Sequence, residues 1–206
     1  MITEEIVVLV STALANWKNV LISGGTGTGK TTLLNAFASL LPHSERIVVI
    51  EETAELGLTH PNLVRFEARR AQPDSPAITI RDLLRATLRH RPDRIVVGEV
   101  RGGEAFDLLQ ALNTGHSGSM STIHANSGEL ALVRFASCVL QSGVDLPYQA
   151  IRLLISESID LVLHLERHRG CRSVSDVIRV AGYRAEADAF DLENARDSTS
   201  RLSAVP

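Results

Sequence analysis

The run Gly24-Gly25-Thr26-Gly27-Thr28-Gly29-Lys30-Thr31 constrains this chain more than any other segment. Glycine weakens helix and strand interiors, so four glycines in six residues predict a loop. Such a loop can point its backbone N–H groups at one anion with no Cβ in the way. The flanks agree. Val20–Ser23 is a short apolar strand, and Lys30–Leu41 reads as a helix ended by Pro42. Strand, loop and helix together fit G-x-x-x-x-G-K-[ST], the phosphate-binding P-loop. A helix N-terminus adds its dipole and unpaired donors to the cradle. Gly25, Thr26, Gly27, Thr28, Gly29, Lys30, Thr31 and Thr32 are therefore expected to bind a nucleoside triphosphate. Lys30 should reach the β- and γ-phosphates, Thr31 should place its hydroxyl on Mg²⁺, and Thr32 should assist by hydrogen bonding nearby. A glycine-rich turn with a chance lysine is the bland alternative, and the register of the flanks counts against it.

The rest of the chain alternates strands and helices. A helix starts after Thr3, with Ile6, Leu9, Val10, Ala13 and Leu14 at helical spacing. Arg46–Ile50, Leu63–Glu67, Arg94–Gly98 and Ser119–His124 read as strands. Thr79–His90, Gly103–Asn113, Ser127–Gln141 and Pro147–Ser156 read as helices, and Ala71–Ala77 as a loop. Ile159–Leu165 and Val174–Val180 form an expected antiparallel pair around the turn at His168–Arg172. Strands alternating with helices over residues 20–140 predict an α/β fold with a mainly parallel sheet. Residues 1–192 are expected to form one domain and residues 193–206 a disordered tail.

Two of the buried strands end in acids. Arg46–Ile50 runs into Glu51-Glu52, with Glu55 following; Arg94–Gly98 runs into Glu99, with Arg101 and Glu104 following. Carboxyl ends of strands face the ligand crevice in open α/β sheets. Hydrolysis of a triphosphate needs a carboxylate near the metal and one to position water. A single acid at a strand end is as often a solvated cap, but two such strands in one P-loop chain favour chemistry.

Composition sets limits. Net charge is −3 over 206 residues, which counts against a domain that coats nucleic acid with bulk positive charge. Aromatics are 4%, so the core must be built from Ile, Leu, Val and Ala, and aromatic and basic residues are not interleaved as on a single-strand platform. No apolar run approaches the ~20 residues of a membrane span. Met1 is followed by Glu4 and Glu5 rather than a basic segment, and Cys138 and Cys171 lack ligand or disulfide spacing. These features suggest a cytoplasmic protein with reduced cysteines, at most peripheral at a membrane face.

Four ordered segments carry a resemblance: the P-loop, Ile50-Glu51-Glu52-Thr53-Ala54-Glu55-Leu56, the stretch from Arg91-Pro92-Asp93 through Gly98-Glu99-Val100-Arg101-Gly102, and Thr114-Gly115-His116 through Thr122-Ile123-His124-Ala125-Asn126. Over roughly residues 17–165 the chain resembles the secretion ATPases of type II and type IV systems, most of all the TrbB-like branch of conjugative transfer and its relatives in pilus assembly. The resemblance implies a RecA-like P-loop NTPase fold, ATP and Mg²⁺. It implies that Glu99 orients or activates the attacking water, and that Glu51 and Glu52 act around metal and γ-phosphate, with Glu52 beside Thr31 at Mg²⁺, partly through water. It implies that His124 senses the γ-phosphate, with Lys30 completing the catalytic set. It further implies a homo-oligomer, a hexameric ring, working on inner-membrane secretion or conjugation machinery. Family members carry an N-terminal domain ahead of the helix that begins here near Thr3, so the chain is expected to be the C-terminal ATPase domain alone. Glu52 stands where the family more often has Asp.

Other residues weigh less. His116 is evenly balanced between structure and function. Arg81, Arg85 and Arg89 share one helical face, which is more often salt-bridged than a source of an arginine finger; Arg91 and Arg101 are further candidates. Trp17 reads as core or as a cover near the base. His43, His60, His90, His164 and His168 read as surface or structural. Three functions follow: a Mg²⁺-dependent ATPase of secretion or conjugation, a nucleotide-binding but catalytically impaired domain, and a helicase-like motor. Charge and composition disfavour the last, and no direct nucleic-acid binding is expected.

Overall fold

The computed structural model describes residues 2–196. Its elements in chain order are α1 (Glu4–Ala15), β1 (Val20–Gly24), α2 (Lys30–Ala38), β2 (Ile47–Glu51), β3 (Leu63–Glu67), α3 (Ile80–Thr87), β4 (Arg94–Val100), α4 (Glu104–Asn113), β5 (Met120–Ile123), α5 (Gly128–Leu140), α6 (Tyr148–Ser158), β6 (Leu161–His168), β7 (Cys171–Arg184) and β8 (Ala189–Asn194). Among the described residues the eight strands make one sheet in the order β3-β2-β4-β5-β1-β6-β7-β8. The first six in that order are parallel, and β7 and β8 run antiparallel at one edge. The fold is the expected α/β P-loop architecture: a mainly parallel sheet with helices on both faces.

Period-two alternation divides the strands between two apolar layers. Val48 and Ile50 of β2 and Ile95 and Val97 of β4 face one layer, with α3, α4, α5 and α6. Ile47, Val49 and Val96 face the other, with α1 and α2. Helical spacing supplies the matching stripes: Ile6, Val10 and Leu14 on α1, and Leu132, Phe135, Ala136 and Val139 on α5. Both faces of β1 and β2 are covered, so every residue of these strands is buried, and Val20–Ile22 and Ile47–Ile50 are apolar without alternation.

Local chemistry sets the helix starts. Thr3 caps α1, Ser127 caps α5, and Thr79 and Asp82 form a capping box on α3. At the amino edge of the sheet, buried Arg94 ties several segments together. It pairs with Glu45 through Nε at 2.5 Å and donates to the carbonyls of Leu14 (2.8 Å) and Gly118 (3.0 Å). Trp17 lies over its guanidinium, 4.2 Å from ring centroid to Cζ. Trp17 therefore stands at the amino ends of the strands, opposite the edge where the P-loop leaves β1, and is neither core nor a cover for a base.

The C-terminal sheet edge is larger than the expected pair. β6 runs on to His168, β7 spans 171–184, and a third strand, β8, pairs with β7 through Asn194. The expected tail boundary at residue 192 therefore falls inside β8. Its polar sequence, Ala-Phe-Asp-Leu-Glu-Asn, alternates weakly, and only Phe190 is buried. Residues 197–206 of the expected tail lie outside the described residues. The expected loop at 71–77 is pinned by antiparallel bridges Arg69–Ile78 and Gln72–Ser75.

Candidate active site

β1, β2, β4 and β5 end side by side, and each delivers one motif to the same edge: the P-loop, Glu51-Glu52, Glu99 and His124. The P-loop turns through left-handed backbone at Gly27 (φ 72°) and Gly29 (φ 99°), a region costly for residues with a Cβ. Lys30 opens α2 and its side chain folds back over the loop. Its Nζ donates to the carbonyls of Gly24 and Gly25, both at 3.0 Å, and lies 3.3 Å from His124 Nδ1. Burial pulls the Lys30 ammonium below its ordinary pKa; the nearby Glu99 charge opposes that shift and Arg101 adds to it.

The acids divide by role. Glu99 is mostly buried, and its Oε2 takes Arg101 Nε at 2.8 Å and Nη2 at 2.6 Å. Glu99 Oε1 is buried without a hydrogen-bonded partner of good alignment, although His124 Nε2 lies 2.7 Å away. Arg101 also pairs through Nη1 with Glu52, so one guanidinium joins the acids at the ends of β2 and β4. Backbone N–H groups of Arg101 and Gly102 meet Glu104 Oε1 at 2.6 and 2.9 Å, which fixes the turn that carries the arginine.

Glu51 is placed differently. It is 4% exposed, and Oε1 accepts from the backbone N–H groups of Glu55 and Leu56, both at 2.9 Å. Arg65 lies 3.7 Å from Oε2 and donates to the carbonyls of Leu56 and Leu58. Glu51 thus fastens the segment after β2, while Glu52 and Glu55 are exposed. Glu55 accepts from the Thr31 hydroxyl at 3.3 Å.

Thr31, Glu51, Glu52, Glu55, Glu99 and Arg101 line one cleft of about 660 Å³, with Arg69, Arg70 and Arg81 also on its wall. The oxygen donors Thr31, Glu52 and Glu55 suit a hard cation. No cluster of three His, Cys, Asp or Glu ligands stands among the described residues. Mg²⁺ is compatible with that, because it is commonly held by one or two protein oxygens, water and substrate phosphates. Of the expected loop residues, Thr28 closes the loop by donating to the Gly25 carbonyl at 2.9 Å, and Gly25 and Thr26 border a second groove beside His124 and Asn126. Thr32 follows Thr31 in the first turn of α2.

Apart from Arg81 on the cleft wall, the remaining candidates separate from the site. Arg81 and Arg85 both pair with Asp107 of α4, at 2.7 and 2.8 Å, so this arginine face braces α3 against α4. His116 lies 3.1 Å from the carbonyl of Ala111 at the end of α4 and plays no part in the cleft. His164 is buried in β6, 2.9 Å from Ser23 Oγ, and burial lowers its pKa. Two contacts lay outside the sequence reading: Glu55 on Thr31, and Arg172 of β7, whose Nε donates to the Gly27 carbonyl at 3.0 Å. Only a register for β6 and β7 could have brought residue 172 to the loop.

A family model described as Type II/IV secretion system protein matches residues 4–200. Conjugal transfer protein TrbB of Rhizobium radiobacter is 38% identical over 187 residues, 89% of this chain and 55% of the relative. Type IV secretion system protein PtlH of Bordetella pertussis (strain Tohama I) is 43% identical over 159 residues, 74% of this chain and 46% of the relative. Among solved structures, the VirB11 ATPase from the Brucella suis type IV secretion system, in complex with sulphate, is similar with a TM-score of 0.78 and 36% identity, over 85% of this chain and 52% of that one. The chain spans about half the length of the curated relatives it matches. The family match covers nearly the whole chain, and the P-loop and the acid-ended strands fall within it: the chain belongs to the Type II/IV secretion system protein family.

Proposed function

We propose that the chain binds MgATP and hydrolyses it, as an ATPase of conjugative transfer, type IV secretion or pilus assembly. The convergence of Lys30, Thr31, Glu52, Glu99 and His124 at one sheet edge carries this reading. Loop N–H groups from Gly25 to Thr32 hold the phosphates. The Lys30 ammonium exchanges the carbonyls of Gly24 and Gly25 for β- and γ-phosphate oxygens, a stronger, charge-assisted set of partners. Glu99 lines the cleft, and its Oε1 has only His124 Nε2 close by, which suits a carboxylate that holds the attacking water once the histidine turns to a phosphate. His124 bridges Glu99 and Lys30, so it can register a terminal phosphate arriving between them. Glu51 acts indirectly, by setting the segment that carries Glu52 and Glu55. Thr31 and Glu52 would hold Mg²⁺, partly through water, and the ion when bound neutralises phosphate charge.

A homo-oligomer, a hexameric ring as the family resemblance implies, would serve inner-membrane secretion machinery from the cytoplasmic face. Among the described residues no helix is long and apolar enough to cross a membrane. Net charge of −3 supports a motor without direct nucleic-acid contact. Steady phosphate release from MgATP by the purified chain, abolished by EDTA and by Lys30→Ala, is the expected result. Release that survives Lys30→Ala would contradict the assignment.

One observation favours a second reading, binding without turnover. Arg101 occupies both Glu52 and Glu99, the acids hydrolysis requires. Tight MgATP binding with no phosphate release would select it.

A further inference from the structure

β1 and β6 run parallel, with Ser23 beside His164 and Gly24 beside Leu165. β1 ends there and becomes the phosphate loop, but β6 continues to His168 and returns as β7. The β6–β7 hairpin therefore stands directly alongside the loop. Arg167 and Arg172 are opposite one another across this hairpin, so both side chains leave the same face. Leu165 and Val174 of that face pack into the layer of α1 and α2, the helix that follows the loop. Arg172 Nε reaches the Gly27 carbonyl, and Arg167 Nη1 lies 3.8 Å from where a Cβ on Gly27 would sit.

Both arginines are exposed, and among the described residues neither forms an ion pair with an acid. Like charges directly opposite on a sheet are unfavourable. An anion placed between them and the loop would remove that repulsion. The position also selects which part of a nucleotide this would be. Glu52, Glu55 and Glu99 come from β2 and β4, which lie on the β5 side of β1, whereas β6 lies on the other side. A nucleotide with its terminal phosphate toward Glu99 runs its nucleoside end toward the hairpin.

We propose that Arg167 and Arg172 form a subsite for the α-phosphate of a bound nucleoside di- or triphosphate. The subsite rests on the nucleotide-binding reading above. Two guanidinium forks can meet one phosphate with paired N–H donors, a geometry lysine does not offer.

The test is titration of the full chain with fluorescent ADP and ATP analogues in the presence of Mg²⁺, for wild type and Arg167→Ala. Arg167→Ala removes one charge and breaks no hydrogen bond seen in the protein. It should weaken ADP and ATP by the same factor, about 10-fold or more, as expected for loss of a hydrogen bond to a charged group. Without nucleotide its melting temperature should stay level or rise, because repulsion with Arg172 is gone. Arg167→Gln serves as a second variant with the same expectation should alanine disturb the hairpin. Unaltered affinity of both arginine variants overturns the subsite alone, and so does a loss confined to ATP, which would put the arginine at the γ-phosphate. Wild-type protein that binds neither analogue overturns the nucleotide reading and the subsite with it.

Discussion

Arg101 joins two carboxylates that the sequence presents as separate motifs, one after β2 and one near the end of β4. A divalent cation approaching Glu52 competes with this guanidinium. Arg101→Ala should therefore lower the Mg²⁺ concentration that half-saturates nucleotide binding. The change should be modest, about two- to fivefold, because exposed ion pairs are worth at most ~1 kcal/mol. Calorimetric titration at a series of Mg²⁺ concentrations checks it, and a rise in the required Mg²⁺ would argue for Arg101 as a phosphate ligand instead. A second residue-scale prediction concerns His164, whose pKa is lowered from 6.5 by burial. The unfolded chain takes up a proton near pH 6.5 that the folded chain resists, so stability is lost as pH falls below 6.5 toward the folded pKa. His164→Gln should flatten that acid-side decline in melting temperature. An equally steep decline would place the cause elsewhere. At this scale the sequence separated Glu99 from its neighbours but not Glu51 from Glu52. Both acids stand at the end of the same strand, and only the path of the following segment shows that the first is fastened to Glu55 and Leu56 while the second is exposed and pairs with Arg101.

The segment after β2 shows how an element is held by one side chain. Leu56 and Leu58 are buried, yet the segment has no regular structure to satisfy its backbone. Glu51 and Arg65 supply the missing partners from β2 and β3. Glu51→Ala leaves two backbone donors unpaired and should cost about 2–4 kcal/mol of stability in urea denaturation. Glu51→Gln keeps the acceptor oxygen and should cost less than about 1 kcal/mol. Equal losses in the two variants would mean that the charge, which both remove, matters rather than the hydrogen bonds. The helices and parallel strands were legible because buried strands are apolar throughout and helices show apolar stripes with Ser or Thr caps. β8 was not, because an edge strand exposed on one face carries a weak pattern. The contact between Arg172 and Gly27 was illegible for a different reason. It depends on a hairpin register joining residues 145 positions apart.

Across the molecule, polar chemistry is split between the two ends of the strands. The carboxyl edge carries the P-loop, the acids and His124. The amino edge is locked by Arg94, which links α1, the Glu45 turn and Gly118. Removing one partner of a buried ion pair leaves the other unpaired, so Arg94→Ala should destabilise the protein by about 3–5 kcal/mol. Chemical denaturation measures this. A loss below about 1 kcal/mol would show that the amino edge does not depend on it. The proposed hydrolysis at the carboxyl edge turns on Glu99. The deciding measurement is phosphate release from MgATP by wild type and Glu99→Gln, paired with ATP affinity for each. Glu99→Gln is expected to bind ATP as well as wild type, with its turnover lowered at least about 100-fold. Turnover at the wild-type rate would remove Glu99 from the chemistry.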